Sequence, residues 1–134
     1  MKRYFTLELA QALLPNVGQQ LQKIMKLQKA LEILEEIEII HEDDAETVQK
    51  DIELNKQFHL LSYKFYKEIQ QLEKMGALLK DLEQGLIDFY SLYQGREIFL
   101  CWQIGEERIT HWHELDSGFV GRKPISLLVK QTGR

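Results

Sequence analysis

The chain has one cysteine, Cys101, and two prolines, Pro15 and Pro124, in 134 residues. A lone thiol cannot close an intramolecular disulfide, so a secreted, disulfide-stapled scaffold is excluded. No apolar run approaches the ~20 residues needed to span a bilayer. The basic start, Lys2-Arg3, is followed by Glu8 and Gln11 and by no small-residue cleavage site, so no signal peptide is expected. The chain therefore reads as cytoplasmic, with no membrane partner. There is no excess of basic charge: the net charge is −4, so nucleic acid is not an expected partner. Internal repeats, low-complexity tracts, Walker loops and dinucleotide-binding fingerprints are absent as well.

What is there is ordinary for a folded domain. With 44% apolar residues the chain can bury a core, and its length suits one domain. The charges are unevenly spread. Asp81, Glu83, Asp88, Glu97, Glu106 and Glu107 stand against Arg96 alone in residues 81–107. The last stretch, 117–134, holds Arg122, Lys123, Lys130 and Arg134 and no acid. This basic tail reads as a solvated surface, or as a contact for a small anionic ligand.

The first half predicts helices. Thr6 suits an N-cap before Leu7–Leu14. Pro15 predicts a break, because it lacks an amide donor and disfavours helical geometry at Leu14. From Val17 to about Ile40, apolar residues recur at threes and fours: Leu21, Ile24, Leu27, Leu31, Leu34, Ile37. His41–Glu46 reads as a turn, with Asp43 and Glu46 at capping-box spacing. It lacks the glycine and distal glutamate of a calcium loop. A second stripe, Val48, Ile52, Phe58, Leu61, Phe65, Ile69, Leu72, ends at Gly76, a natural helix stop. Asn55 and His59, four apart, read as polar groups fixing register across a helical interface. Helices ~40 Å long exceed what a small sheet covers, so a homodimer through the helices is expected.

After Gly76 the period shortens to that of strands. Residues 77–80 and 85–90 are short apolar runs between turn-like residues. Ile98, Leu100, Trp102 and Ile104 alternate with Glu97, Phe99, Cys101 and Gln103, and Ile109–Leu115 returns after a Gly105-Glu106 turn. Matching the apolar faces pairs Ile104 with Ile109, Trp102 with His111, Leu100 with His113 and Ile98 with Leu115. A slip of one residue would instead put the histidines beside Cys101 and Gln103. Glu106-Glu107 suits a tight primed turn poorly, so a wider loop is also open.

The richest chemistry lies in His111-Trp112-His113-Glu114. A His-x-His pair on a strand points both rings to one side, where they can share a divalent transition metal; Asp88 would supply a carboxylate, and such a centre could activate water. The bland alternative is a half-buried sheet face. Without metal, Trp102 and Trp112 offer flat apolar surface, Arg96 and Arg122 bidentate donors for a small anionic ligand, and His113 a proton near neutral pH. Arg122 can equally pair with Glu114 or Asp116. Gly118 and Gly121 read as a tight turn rather than a phosphate cradle, because Pro124 argues against a following helix. Cys101 and Ser117 show no sign of nucleophilic activation.

Several stretches together resemble a known family. They are Tyr4-Phe5-Thr6-Leu7-Glu8, Leu13-Leu14-Pro15, Gly85-Leu86-Ile87-Asp88-Phe89, Gly95-Arg96-Glu97, Leu100-Cys101-Trp102, Gly105-Glu106, Trp112-His113-Glu114 and Gly118-Phe119-x-Gly121-Arg122-x-Pro124-Ile125. They are similar to the prokaryotic family catalogued as domain of unknown function 2203. The resemblance implies no activity. It places Asp88, His113, Glu114, Gly121 and Arg122 on the family's pattern and leaves His111 and Tyr90 off it.

The expectation is thus an α+β protein: a long antiparallel helical hairpin followed by a small antiparallel β-sheet. The single domain 1–134 divides into a hairpin at 7–75, a β-rich motif at 77–125 and a tail at 126–134. Two functions follow as expectations. One is a dimeric interaction or small-ligand-binding module. The other is a metal-assisted hydrolase centred on His113 with Asp88. Adjacent His113 and Glu114 point to opposite faces of a strand, so His113 needs a partner from another segment.

Overall fold

The computed structural model describes residues 2–42 and 48–132. Thr6 caps the first helix as its chemistry predicts: its hydroxyl accepts the Leu9 amide at 3.2 Å. Helix α1 then runs over Leu7–Glu42 without the break expected at Pro15. Proline inside a helix costs ~3 kcal/mol. Pro15 itself faces solvent. On the opposite side Ala10, Leu14, Val17, Leu21 and Ile24 are all buried. Each large side chain in that stripe gains roughly 1.5–3 kcal/mol on burial, so one continuous core-facing helix outweighs the lost bond.

Helix α2, Val48–Lys74, folds back along α1. The Gln20 side-chain amide donates to the Glu68 carbonyl at 2.8 Å and ties the two together. His41 and Glu42, expected in the turn, belong to α1, and the rest of the expected turn, with Asp43 and Glu46, lies outside the described residues. Gly76 ends the hairpin with φ +92°, and a Cβ there would collide with the Phe5 ring. At 1.5 Å per residue α1 is ~54 Å long and α2 ~40 Å. Asn55 and His59 are both exposed on α2.

Five strands follow, β1 (Leu78–Asp81), β2 (Leu86–Tyr93), β3 (Arg96–Gln103), β4 (His111–Glu114) and β5 (Lys123–Pro124), in one antiparallel sheet in sequence order. The chain is therefore α+β, with a long helical hairpin preceding an antiparallel sheet. Gln94 and Gly95, with φ of 52° and 75°, form the tight turn joining Tyr93 to its partner Arg96. Two left-handed residues match the twist of the flanking strands.

The β3–β4 register differs by one residue from the apolar-matching expectation. Cys101 faces His111, Leu100 faces Trp112, and Phe99 faces His113. The wide loop permits the shift. Glu106 organises it: its carboxylate accepts the Gln103 amide at 2.7 Å and the Thr110 hydroxyl at 3.0 Å, and its carbonyl accepts Trp102 Nε1–H at 2.9 Å. Ile109 leaves the strand and is buried, its amide donating to Gln11 Oε1 at 3.2 Å. The shift sends the large apolar Trp112, rather than two imidazoles, to the core.

The sheet's two faces are thereby unlike. Ile87, Phe89, Tyr93, Ile98, Leu100, Trp102 and Trp112 join Leu14, Val17, Leu21, Ile24 and Leu72 in one core beneath the helices. The other face presents Leu86, Asp88, Phe99, Cys101 and His113. A short turn of 3₁₀ helix, Phe119–Gly121, lies at that face. Helix α3, Ile125–Thr132, follows Pro124 directly, so proline precedes a helix here rather than preventing one. Ile125 N–H donates to the Thr110 carbonyl at 2.9 Å, and Leu128 reaches the core.

Candidate functional site

Three neighbouring strands each contribute one side chain to a single point on the face away from the helices. Asp88 lies mid-β2, and its backbone partner on β3 is Cys101. His113 enters from β4, where Phe99 is its backbone partner. One ligand atom from each of Asp88, Cys101 and His113 falls within 4.8 Å of the others, and all three residues are buried. Period-2 alternation explains the convergence: in adjacent antiparallel strands, side chains two residues apart share a face.

His113 uses both ring nitrogens. Nδ1–H donates to the Glu114 carbonyl at 2.7 Å, and Nε2–H donates to Asp88 Oδ2 at 3.0 Å. Only 3% of His113 is exposed. Burial pulls its pKa down, but the hydrogen bond to Asp88 opposes it. A hydrogen bond with Cys101, the Glu114 carbonyl and the charge of Asp88 add to that opposition. Together they push the pKa from 6.5 up to about 10. The raised pKa favours the imidazolium, whose two N–H groups both find acceptors in the Glu114 carbonyl and Asp88.

The cluster opens on a pocket of about 110 Å³ lined further by Lys80, Leu86, Phe99, Leu115, Gly118 and Phe119. At ~30 Å³ of liquid volume each, that space holds about three to four waters. Lys80 Nζ stands 4.5 Å above the Phe99 ring centroid. Gly118, with φ +63°, turns the chain so that Phe119 reaches the pocket rim. The glycine pair thus serves a tight turn.

The remaining sequence candidates lie elsewhere. Trp102 and Trp112 are buried on the helix-facing side, and Trp112 Nε1 has no hydrogen-bond partner among the described residues. Arg96 pairs with Glu114 at 3.2 Å, and Lys123 approaches the same carboxylate at 3.6 Å. Arg122 pairs with neither Glu114 nor Asp116; its guanidinium stacks on Phe119 at 4.1 Å, with Nη1 buried and unbonded. His111 shares the face of His113, but its Nδ1 contacts the Thr110 hydroxyl at 2.8 Å and it stays outside the cluster. The structure brings together Asp88 and His113 from the expected set, and puts Cys101 where His111 was expected. A one-residue slip does move the histidines to the face of Cys101, but in the direction opposite to the one considered: they pair with Phe99 and Cys101, not with Cys101 and Gln103.

The geometry disfavours a cysteine nucleophile. A Cys-His-acid relay needs the imidazole to bridge, one nitrogen to each partner. Here the backbone carbonyl of Glu114 takes Nδ1 and Asp88 takes Nε2, so the contact with Cys101 is made by a nitrogen already engaged. The three side chains instead converge on a common point, their ligand atoms within 4.8 Å of one another.

The chain belongs to the family described as an uncharacterized conserved protein (DUF2203), whose model matches residues 3–125. No curated protein and no solved structure matches the chain. Among the described residues, no helix is long and apolar enough to cross a membrane.

Proposed function

We propose that this protein binds one divalent transition metal of the zinc class through Asp88, Cys101 and His113. The convergence of these three buried side chains carries the reading. A thiolate, an imidazole and a carboxylate form a borderline-soft donor set that suits zinc or cobalt better than magnesium or calcium. His113 is already oriented as a metal-binding histidine would be, because its second nitrogen donates to the Glu114 carbonyl at 2.7 Å. The proton on Nε2 occupies the direction in which a metal would sit, so metal and proton compete for one nitrogen.

Three protein ligands leave a fourth position, and the small pocket beneath Phe119 lies beside the cluster. The ligand taken there is a water or an anion of a few atoms, with Lys80 the cationic residue of the lining. The function proposed is binding of the metal and a small ligand.

Cobalt titration of tag-free, chelator-treated protein tests it. One equivalent should bind with a near-ultraviolet thiolate-to-cobalt charge-transfer band. Cys101→Ser should abolish the band, and His113→Gln should weaken binding by at least tenfold. A featureless titration, or a band that survives Cys101→Ser, rejects the site.

A further inference from the structure

The far half of the helical hairpin carries apolar surface that the sheet does not reach. Among the described side chains of α1 the last buried one is Leu31; beyond it Ile33 and Ile37 are 50% and 42% exposed. In α2 only Leu72, near the sheet end, is buried, whereas Ile52, Leu60, Tyr63 and Tyr66 are exposed. Between the helices lies a groove of about 540 Å³ with Leu27, Leu60 and Tyr63 in its lining. Four cations, Lys23, Lys26, Lys64 and Lys67, share that lining with one acid, Glu68. That acid is engaged by the Gln20 amide.

The charge reverses farther along α1: from residue 32 to residue 37 every charged side chain, Glu32, Glu35 and Glu36, is acidic. Glu32 and Glu36, one turn apart, flank the exposed Ile33 and Ile37. One stretch of the hairpin is thus apolar with a basic border, and the next is apolar with an acidic border. Lys26 and Ile33 are ~10 Å apart along α1. A two-fold axis at Ala30 would lay α1 antiparallel to its copy, with Lys26 level with Leu34 and Lys23 level with Ile37.

We infer that the groove between α1 and α2 receives the acidic Glu32–Ile37 stretch of a second copy of this chain, and reciprocally, in an antiparallel four-helix dimer. Charge separation within the hairpin selects this occupant. A chain of net charge −4 repels its copies at long range. The antiparallel arrangement sets Lys23 and Lys26 of α1 against the acidic stretch around Glu32 and Glu36 of the copy's α1. Isologous pairing satisfies both grooves at once, leaving no unfilled copy of the surface. Ridges of leucine, isoleucine and tyrosine supply the burial, and the lysines and glutamates set direction.

Sedimentation of the full chain and of two surface variants tests this. The wild type should be a dimer that loosens as salt rises. Lys26→Glu/Lys67→Glu places acids against acids, and Glu32→Lys/Glu36→Lys places lysines against lysines. Each variant should sediment as a monomer with wild-type helicity by circular dichroism. Mixed in equal amounts, they are complementary at both grooves and should restore a dimer. A monomeric wild type, variants that remain dimeric, or a mixture that stays monomeric overturns the inference. A monomeric wild type that captures an acidic helical peptide would assign the groove to another partner and equally overturn it.

Discussion

Replacing Asp88 by Asn keeps the shape of the side chain and removes its charge. Buried beside it, the His113 imidazolium then loses the partner that offsets its desolvation. The pKa, raised from 6.5 to about 10, shows that the site favours the charged ring. Breaking a buried pair by removing one partner costs about 3–5 kcal/mol. The sign with pH follows from linkage. The folded pKa lies above the unfolded one, so the stabilisation is complete below about 6.5 and drains away as the pH rises through about 10. Urea denaturation of chelator-treated protein should therefore show Asp88→Asn destabilised by about 3–5 kcal/mol at pH 6. The gap should narrow to about 1 kcal/mol, an ordinary hydrogen bond, above pH 10. Imidazole NMR should show the His113 titration moving down in the variant. A pH-independent difference, or one below about 1 kcal/mol at pH 6, would refute the claim that a buried ion pair joins β2 to β4.

Cobalt affinity should climb as the pH rises from 6 to 9, because metal must displace the His113 proton; calorimetry in buffers of different ionisation enthalpy will count the protons released, and a flat profile would contradict ligation by Nε2. Phe119→Ala removes the Phe119 rim and the Arg122 stack, so metal exchange in stopped flow should accelerate while stability falls by only about 1 kcal/mol, since Phe119 is 37% exposed. Gly76→Ala should cost about 2 kcal/mol or more in thermal unfolding, because it combines a left-handed backbone with a clash on Phe5.

Much of this architecture is written in short-range signals. Thr6 capping α1, Gly76 ending α2 and the alternation of Ile98, Leu100 and Trp102 are local chemistry, and the structure follows each. Pro15 misleads because its cost is local while the compensating burial comes from strands seventy residues away. Register is the larger lesson. Matching apolar faces put His113 beside Leu100, but Ile109 belongs to the loop and Trp112 to the core. Once β4 is shifted by one, Cys101, Asp88 and His113 share a face and the cluster becomes visible. Asp88 and His113 were legible as individual chemistry; their partnership depends on β3 lying between β2 and β4.

That placement bears on how the sheet assembles. β2 and β3 are joined by two residues and pair along their whole length, so they form a local hairpin that closes early. β4 spans only His111–Glu114 and pairs with β3 across the wide loop. Its main-chain bonds alone discriminate weakly between neighbouring registers. Asp88, reaching past β3, supplies the discrimination: a slip by one residue would swing His113 to the apolar side and strand the carboxylate. The β2–β3 hairpin thus presents a charged key that fixes where the short β4 sits. Hydrogen exchange should accordingly find the amides of β2 and β3 protected more strongly than those of β4.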